Sequence, residues 1–416
     1  MAAGEIIQGV RWLRDAAGKL VGYRNPVTDK DEDVLTAAQV AATQSLVSGD
    51  GSRPLGSQTT LPSSNSAYQA MVLNHASSTY QFAGADETDG VVWVVDTTGG
   101  ILRQGSTSDA WATTAGVTWS GNKTLPTSPN AVLYTAVTKL IRFGAHVYLL
   151  GKDSVTNLYG IYRSDPKAGS TAFVWSAPLH QFLSTAATAL YTVFSSGGGY
   201  LWLGEYGDPT GGPTVWRSSD GTTWTQIYTE VGQGTPQRHM HAIAHDPYSP
   251  GTVWMTLGDA NAGREIMKST NYGTTWAVFE ANAAWQAVQI SFSATHIYFG
   301  GDSARGHLFV VDRETGTKRW ACAGLAKNQA VPGAAASTDT FYTNGYFGVC
   351  DPNTGEYYFS LQNDGAGGNT LGFFVVPWLG AAPVLIEKPV NTGTPVDIFA
   401  GFVWCGKARR PLHSIA

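Results

Sequence analysis

Histidine, aspartate and arginine residues collect in one stretch of the sequence, 237–269, which reads QRHMHAIAHDPYSPGTVWMTLGDANAGREIMKS. His239 and His241 are two residues apart, so on a regular β-strand both side chains point to the same side. Asp259 follows the next apolar run, and Arg264 comes after a short loop. Such groups together can form hydrogen bonds to the hydroxyl groups of a sugar. Two histidines and a carboxylate are also ligands that a divalent metal accepts.

Similar groups recur after other apolar runs. The loop GGDSARGH carries two charged residues, YLWLGE ends in a glutamate, and HVYLLGKD ends in an aspartate. We therefore predict one ligand-binding set, which comprises His239, His241, Asp259, Arg264, Asp302, Arg305, Glu205 and Asp153. Structural roles stay open, because aspartate is common in turns and buried histidines often bond to neighbouring carbonyls. The pattern names no catalytic residue, and we expect neither a metal nor a cofactor.

These groups need a framework, and a repeat of about fifty residues supplies it. Each copy has an apolar-aromatic strand, a Gly/Asp-rich loop, a second strand and a turn that ends in tryptophan. The closing tryptophans are Trp119, Trp175, Trp224, Trp276 and Trp320. A strand repeat of this length is typical of a propeller blade, which is a four-stranded antiparallel sheet. We predict an all-β fold with a six-bladed β-propeller over 67–416. Five or seven blades remain open, and a last strand within 396–404 is expected to pair with the first blade and close the ring.

Two copies of the turn share one pattern of residue types: SSDGTTW at 218–224, the first box, and STNYGTTW at 269–276, the second box. The Asp or Asn can accept backbone N–H bonds within a tight turn. The glycine permits a positive φ, and the tryptophan can bury a large ring between sheets. The segments 163–175 and 312–320 are degenerate copies. We predict a structural role for Ser218, Asp220, Gly221, Trp224, Ser269, Asn271, Gly273 and Trp276.

The pair of boxes, in register with the strand repeat, resembles the sialidase-type (BNR, Asp-box) superfamily of six-bladed propellers. The resemblance implies that the boxes lie at outer hairpins, away from any active site. A sialidase of this family also carries an early Phe/Tyr-Arg-Ile-Pro motif, which this sequence lacks. Sialidase activity is therefore disfavoured, and whether the protein is an enzyme stays open, with a leaning towards no.

Residues 1–66 differ in sequence pattern from the repeat. Residues 1–47 predict a hairpin followed by an amphipathic helix at 31–47, and the Gly/Ser/Pro-rich segment 48–66 predicts a linker. Residues 1–47 resemble the N-terminal segments of bacteriophage tail fibres and other tail-associated virion proteins. That resemblance implies attachment to other tail proteins and several copies in a virion assembled in the host cytoplasm, while the larger domain meets host-surface polysaccharide. Packing of this module on the propeller is the alternative.

Composition narrows the classes of partner. A net charge of -5 provides no surplus of positive charge to neutralise the phosphates of nucleic acid. No apolar run reaches the roughly 18 residues of a membrane span, and the start lacks the apolar stretch of a secretory signal. The leading hypothesis is thus a phage tail receptor-binding protein with a glycan-binding propeller. The alternatives are a glycoside hydrolase or lyase with a non-sialidase site, and a host-encoded carbohydrate-binding propeller.

Overall fold

The chain is all-β in the part that the structure describes. The computed structural model divides it into two compact units, Met1–Arg53 and Pro54–Ala416, and this boundary falls within the segment 48–66. No described residue is helical, and none belongs to a helix long and apolar enough to cross a membrane. The described residues are 5–7, 10–14, 20–25, 30–33, 71–73, 80–86, 91–96, 101–106, 120–124, 132–133, 139–153, 158–165, 173–181, 194–205, 212–230, 239–258, 265–281, 287–301, 308–322, 348–350, 357–362, 370–376, 384–387, 403–405 and 410–414.

The first unit contains one antiparallel sheet of four strands in chain order, β1 (Glu5–Ile7), β2 (Val10–Arg14), β3 (Leu20–Asn25) and β4 (Lys30–Asp33). The expected hairpin is the β2–β3 pair, in which Trp12 lies opposite Tyr23. The predicted helix does not begin at residue 31, because 31–33 pair with β3 as part of β4. Its remaining residues, 34–47, lie outside the described residues.

The described strands of the second unit form seven sheets. Sheet I contains β6 (Tyr80–Asp86), β7 (Val91–Asp96), β8 (Ile101–Ser106) and β9 (Ser120–Thr124). Sheet II contains β10 (Val132–Leu133), β11 (Lys139–Phe143), β12 (His146–Asp153), β13 (Tyr159–Arg163) and β14 (His180–Gln181). Sheet III contains β15 (Phe194–Gly197), β16 (Tyr200–Glu205), β17 (Thr214–Ser218) and β18 (Thr225–Thr229).

The remaining sheets follow in chain order. Sheet IV contains β19 (His239–His245), β20 (Val253–Gly258), β21 (Glu265–Ser269) and β22 (Ala277–Glu280). Sheet V contains β23 (Ala287–Phe292), β24 (His296–Gly301), β25 (Leu308–Asp312) and β26 (Lys318–Cys322). Sheet VI contains β27 (Gly348–Cys350), β28 (Tyr357–Gln362), β29 (Thr370–Val376) and β30 (Val384–Glu387). Sheet VII contains β31 (Val403–Cys405), β32 (Arg410–Ser414) and β5 (Met71–Leu73).

The sheets of the second unit follow one another around a ring. Strands β6, β11, β15, β19, β23 and β27 each lie beside the next in this order, β27 lies beside β31, and β32 lies beside β6. These strands are therefore the innermost strands of a β-propeller, which confirms the all-β propeller part of the predicted fold class. Seven described sheets are one more than the six blades expected.

The additional sheet is built from both ends of the unit. Instead of pairing with the first blade, β31 pairs with β32, and β32 pairs in parallel with β5, so that Leu412 lies opposite Met71. No contiguous stretch of sequence contains this sheet, which is why counting repeats along the chain missed it.

Burial across each sheet follows from face-to-face packing. Every residue of β20 is buried, whereas most of β18 is exposed or half-buried. A strand that is covered by a neighbouring sheet on both faces has an almost continuous apolar sequence, whereas an outer strand also contains polar residues. The cores lie between sheets: one spans sheets II to IV, a second joins sheets I and II, and a third joins sheets IV and V.

The first box fastens sheet III to sheet II. Asp220 Oδ1 accepts the backbone N–H groups of Thr222 and Thr223, both at 2.7 Å. Gly221 has a φ of 71° and lies so close to sheet II that an added Cβ would come within 1.9 Å of Tyr148 Oη. Arg163 of sheet II donates to Thr222 Oγ1 at 2.8 Å.

The second box repeats this arrangement one sheet further on. Asn271 Oδ1 accepts the backbone N–H of Thr275 at 2.9 Å, and Ser269 Oγ accepts that of Gly273 at 2.8 Å. Gly273 has a φ of 80° and packs on Ile227 of sheet III. Arg217 of sheet III donates to the backbone oxygen of Tyr272. In both boxes the arginine that precedes the serine of one sheet's outer turn reaches the turn of the next sheet.

The degenerate copy at 312–320 folds differently. Asp312 ends β25 and so stands where the boxes have serine, and its Oδ1 accepts the backbone N–H groups of Glu314 and Thr315. The next residue, Arg313, reaches back to sheet IV and forms a two-pronged ion pair with the buried Asp246, at 2.6 and 2.8 Å. Sheets IV and V are thus joined by an ion pair that the sequence pattern did not indicate.

Candidate functional site

The two edges of sheets II to V carry different kinds of residue. In sheet III, Ser218 of the first box pairs with Leu201 at the start of β16, while Glu205 at the end of β16 pairs with Thr214. We call these the box edge and the Glu205 edge. Because β12, β16, β20 and β24 are equivalent strands, their last residues mark the Glu205 edge around the ring.

Three of the predicted ligand-binding residues that the structure describes fall at this edge. Asp153 ends β12, Glu205 ends β16, and His239 begins β19 opposite Gly258. The other charged residues of the set lie outside the described residues: Asp259, Arg264 and Asp302 are each adjacent in sequence to a described strand, and Arg305 falls between β24 and β25 in the sequence.

His241, another residue of the predicted set, is buried between sheets IV and V. Its ring is buried, and Nδ1 lies 3.2 Å from the backbone oxygen of Ala287 in sheet V. The pairing of β19 with β20 shifts between Met240 and Ala242, so His241 is the extra residue of a β-bulge. The regular alternation that would place His239 and His241 on one side is therefore interrupted.

Glu205 lies between two sheets and is held from both. Its Oε1 accepts a hydrogen bond from Trp216 Nε1 of the same sheet at 2.7 Å. On the other side lies His180 Nε2 of β14, at 3.3 Å, with both side chains largely buried. The His180 ring packs on Trp216, with 4.5 Å between the ring centroids. Sequence reasoning named Glu205 but missed both partners, because His180 comes from the separate stretch SAPLHQF.

Lys139 adds a cation to the same interface. It is the first residue of β11, opposite Leu150, and burial lowers the pKa of its amine from 10.5 to about 8. Within the described ranges no hydrogen bond or ion pair reaches this amine. No motif of the sequence marked this lysine. Across sheet II this lysine is three strands away from His180, with Leu150 and Ile161 between them. We call His180, Glu205 and Trp216 the II–III site.

The II–III site combines a carboxylate, an imidazole and a half-buried indole between two neighbouring sheets. These are groups that recognise polar ligands with an apolar face, since an indole packs on carbon and the charged groups fix orientation. Among the described residues, no group of three or more His, Cys, Asp or Glu side chains could hold a metal ion.

Comparison with known proteins identifies the fold alone. No protein-family model matches this sequence, and no curated protein is significantly similar to it. The crystal structure of a GH74 xyloglucanase from Xanthomonas campestris matches with a TM-score of 0.50 and 14% identity. The match covers 76% of this chain and 46% of the xyloglucanase, so this chain spans about half the length of that protein. Its likeness agrees with the β-propeller seen here.

Other propellers match more loosely. A regucalcin, a calcium-binding protein from Agrobacterium tumefaciens, has a TM-score of 0.42 and 13% identity over 78% of this chain and 97% of its own. A luciferin-regenerating enzyme has a TM-score of 0.35 and 11% identity over 82% of this chain and 83% of its own.

Proposed function

We propose that this protein is a carbohydrate-binding recognition protein and that the II–III site is part of its binding surface. One observation carries the proposal: Glu205 is held between Trp216 and His180 at the edge opposite the boxes. A largely buried carboxylate is costly unless its oxygens are bonded. Here the bonds come from two aromatic side chains of different sheets, which fixes its position as a binding site requires.

The chemistry of the II–III site suits sugars. The indole of Trp216 is half-buried, so part of its surface remains open to a ligand. An indole face packs on the C–H face of a sugar ring, while carboxylate oxygens accept hydrogen bonds from its hydroxyl groups. The xyloglucanase, named for a polysaccharide substrate, is a propeller of the same general fold, which is consistent with a carbohydrate ligand.

The setting we propose is a phage tail. Residues 1–47 would attach the protein to other tail proteins, and the propeller would meet host-surface polysaccharide in several copies per virion. Locating the protein in purified virions, and finding which tail protein crosslinks to residues 1–47, tests this part. Its absence from virions would leave a host-encoded carbohydrate-binding propeller.

Retention on host lipopolysaccharide or capsule tests the binding function. We expect Glu205→Gln and Trp216→Phe each to weaken retention at least tenfold, because the first removes the charge of the acceptor and the second removes the N–H donor that holds it. Asp220→Asn at the box edge is the matched control and is expected to bind normally. If the wild-type protein is not retained by any host glycan, the proposal is wrong.

The same assay distinguishes an enzyme from a binding protein. Glu205 shares its edge with the ends of β20 and β24, which Asp259 and Asp302 directly follow, and paired carboxylates are the usual groups of glycoside hydrolysis. Release of short oligosaccharides that Asp259→Asn or Asp302→Asn abolishes would show a glycoside hydrolase or lyase. Retention without product after long incubation shows recognition alone.

A further inference from the structure

Trp224, the closing tryptophan of the first box, contacts the II–III site. The His180 ring of sheet II packs against two indoles of sheet III, with its centroid 4.5 Å from that of Trp216 and 5.8 Å from that of Trp224. Both indoles are partly buried and pack on the core that spans sheets II to IV. The imidazole is thus held by rings from the neighbouring sheet, while its Nε2 lies 3.3 Å from Glu205 Oε1.

Sheet IV has the same strands and the same turn without this site. Its register places Met267 where sheet III has Trp216, and Leu257 where sheet III has Glu205. Met267 and Leu257 are both buried members of the core. A blade of this protein therefore packs with apolar residues at these two positions, so packing alone does not explain the indole and the carboxylate of sheet III.

The closing tryptophans of the two boxes differ in what they contact. Trp276 packs on Tyr228 of sheet III, with 6.2 Å between the ring centroids, whereas Trp224 packs on His180 of sheet II. Both indole N–H groups are buried and have no hydrogen-bond partner among the described residues. Each tryptophan therefore acts there through the packing of its ring, and Trp276 shows what a box tryptophan does where no histidine is present.

We propose that Trp224 is a positioning residue of the II–III site and holds the His180 ring in the orientation that directs Nε2 to Glu205. This inference rests on the proposed carbohydrate-binding function. A neutral imidazole donates a hydrogen bond from Nε2 in only one of its two tautomers. If the ring turns away, Glu205 loses a donor and its carboxylate moves. Packing by the indole of Trp224 thus keeps the carboxylate in place for the hydroxyl groups of a sugar.

The test compares Trp224→Leu, Trp224→Phe and the matched control Trp276→Leu in the full-length chain. Retention on host lipopolysaccharide or capsule should weaken about tenfold in Trp224→Leu and much less in Trp276→Leu, since only the first contacts His180. Trp224→Phe keeps an aromatic ring, so it should recover most of the retention.

NMR of the His180 ring nitrogens, at a pH at which the imidazole is neutral, provides a second measurement that a change in stability alone does not alter. The wild type and Trp276→Leu should carry the proton on Nε2, whereas Trp224→Leu should show a mixture of the two tautomers. If Trp224→Leu does not fold, Trp224→Met, which has a long side chain without an aromatic ring, takes its place.

The outcomes separate this inference from the proposed function. Equal losses of retention in Trp224→Leu and Trp276→Leu would assign both tryptophans to blade packing and overturn the inference while the proposed function stands. Full retention by Trp224→Leu, or the wild-type tautomer in that variant, would overturn it as well. If the wild type is not retained by any host glycan, the proposed function is wrong, and the tautomer of His180 then decides by itself whether Trp224 positions the ring.

Discussion

Asp220 and Asn271 hold the same kind of turn with a different charge. Asp220 Oδ1 accepts two backbone N–H groups of its turn. Asn271 Oδ1 accepts one backbone N–H group and the hydroxyl of Ser269. The backbone N–H groups of Thr223 and Thr222 lower the pKa of Asp220 to about 2. The two boxes therefore share their geometry, but only Asp220 can take up a proton in acid.

We predict that the first box weakens in acid and that the second does not. A carboxylate whose pKa is lowered on folding stabilises the fold above its unfolded pKa of about 3.8, and this contribution is lost as the pH falls towards about 2. Asp220→Asn should remove that acid-dependent part of stability, and Asn271→Asp should add one. Thermal unfolding compared between about pH 5 and pH 2 checks both. Because Asp220 is exposed, the effect should be small, and equal acid sensitivity of all three proteins would contradict it.

Lys139 predicts the opposite trend with pH. Its pKa is about 8 in the folded chain and 10.5 in the unfolded chain, so burial of the charge costs stability below pH 8. This cost declines as the pH rises from about 8 to about 10.5. Lys139→Met should therefore be as stable as the wild type or more so at neutral pH, by at most ~3 kcal/mol. Chemical denaturation at about pH 7 and pH 10 measures the difference, which should shrink at the higher value. A variant that is less stable at pH 7 would show that the amine has a stabilising partner.

Turns between strands of one sheet depend on glycines for two separable reasons. Gly199 has a φ of 81° with open space around it, whereas Gly273 has a φ of 80° and packs on sheet III. A Cβ on Gly273 would lie 2.5 Å from Ile227 Cδ1, and its next contact is an ordinary 3.4 Å. An alanine at position 199 therefore tests backbone strain alone. An alanine at position 273 adds a steric contact between its methyl group and Ile227.

We predict that Gly199→Ala costs roughly 1–2 kcal/mol from backbone strain alone. Gly273→Ala should cost about 1–3 kcal/mol more, because the added methyl overpacks the interface between sheets III and IV. Ile227→Val removes the Cδ1 atom, so the double variant Gly273→Ala/Ile227→Val should recover most of that extra cost. Denaturant unfolding of the four proteins gives the comparison. Equal costs at the two glycines would mean that the second box does not press on sheet III.

Strands and turns were the part of this structure that the sequence predicted best. The apolar runs and boxes recur with blade spacing because each sheet needs the same buried inner strands and the same outer turn. The bulge at His241 was not predictable in this way, since it shows only in the pairing of β19 with β20. Glu205 was recognised by its place at the end of an apolar run, but its partner His180 comes from a strand of another sheet. Their proximity depends on the packing of sheet II against sheet III, which the local pattern does not contain.

The ring as a whole depends on its last strand. Sheet VII is held by the pairing of β32 with β31 on one side and with β5 on the other. We predict that deletion of 406–416 leaves the inner edges of sheets I and VI without a closing sheet, so unfolding should become broader and begin at lower temperature. Deletion of 1–7, which removes β1 from the first unit, is the control and should leave the transition of the propeller unchanged. A sharp, unshifted transition after the C-terminal deletion would mean that the ring does not need sheet VII.

The parallel pairing of β5 with β32 also fixes an order of events during synthesis. Residues 71–73 leave the ribosome early, but their partner at 412–414 is made after more than three hundred further residues. Sheets I to VI can each form from neighbouring hairpins as they are translated, whereas β5 must wait unpaired until the end. An unpaired strand can pair with a strand of another chain. Slow or stalled translation shortly before residue 410 should therefore favour aggregation of this protein more than stalling between earlier sheets.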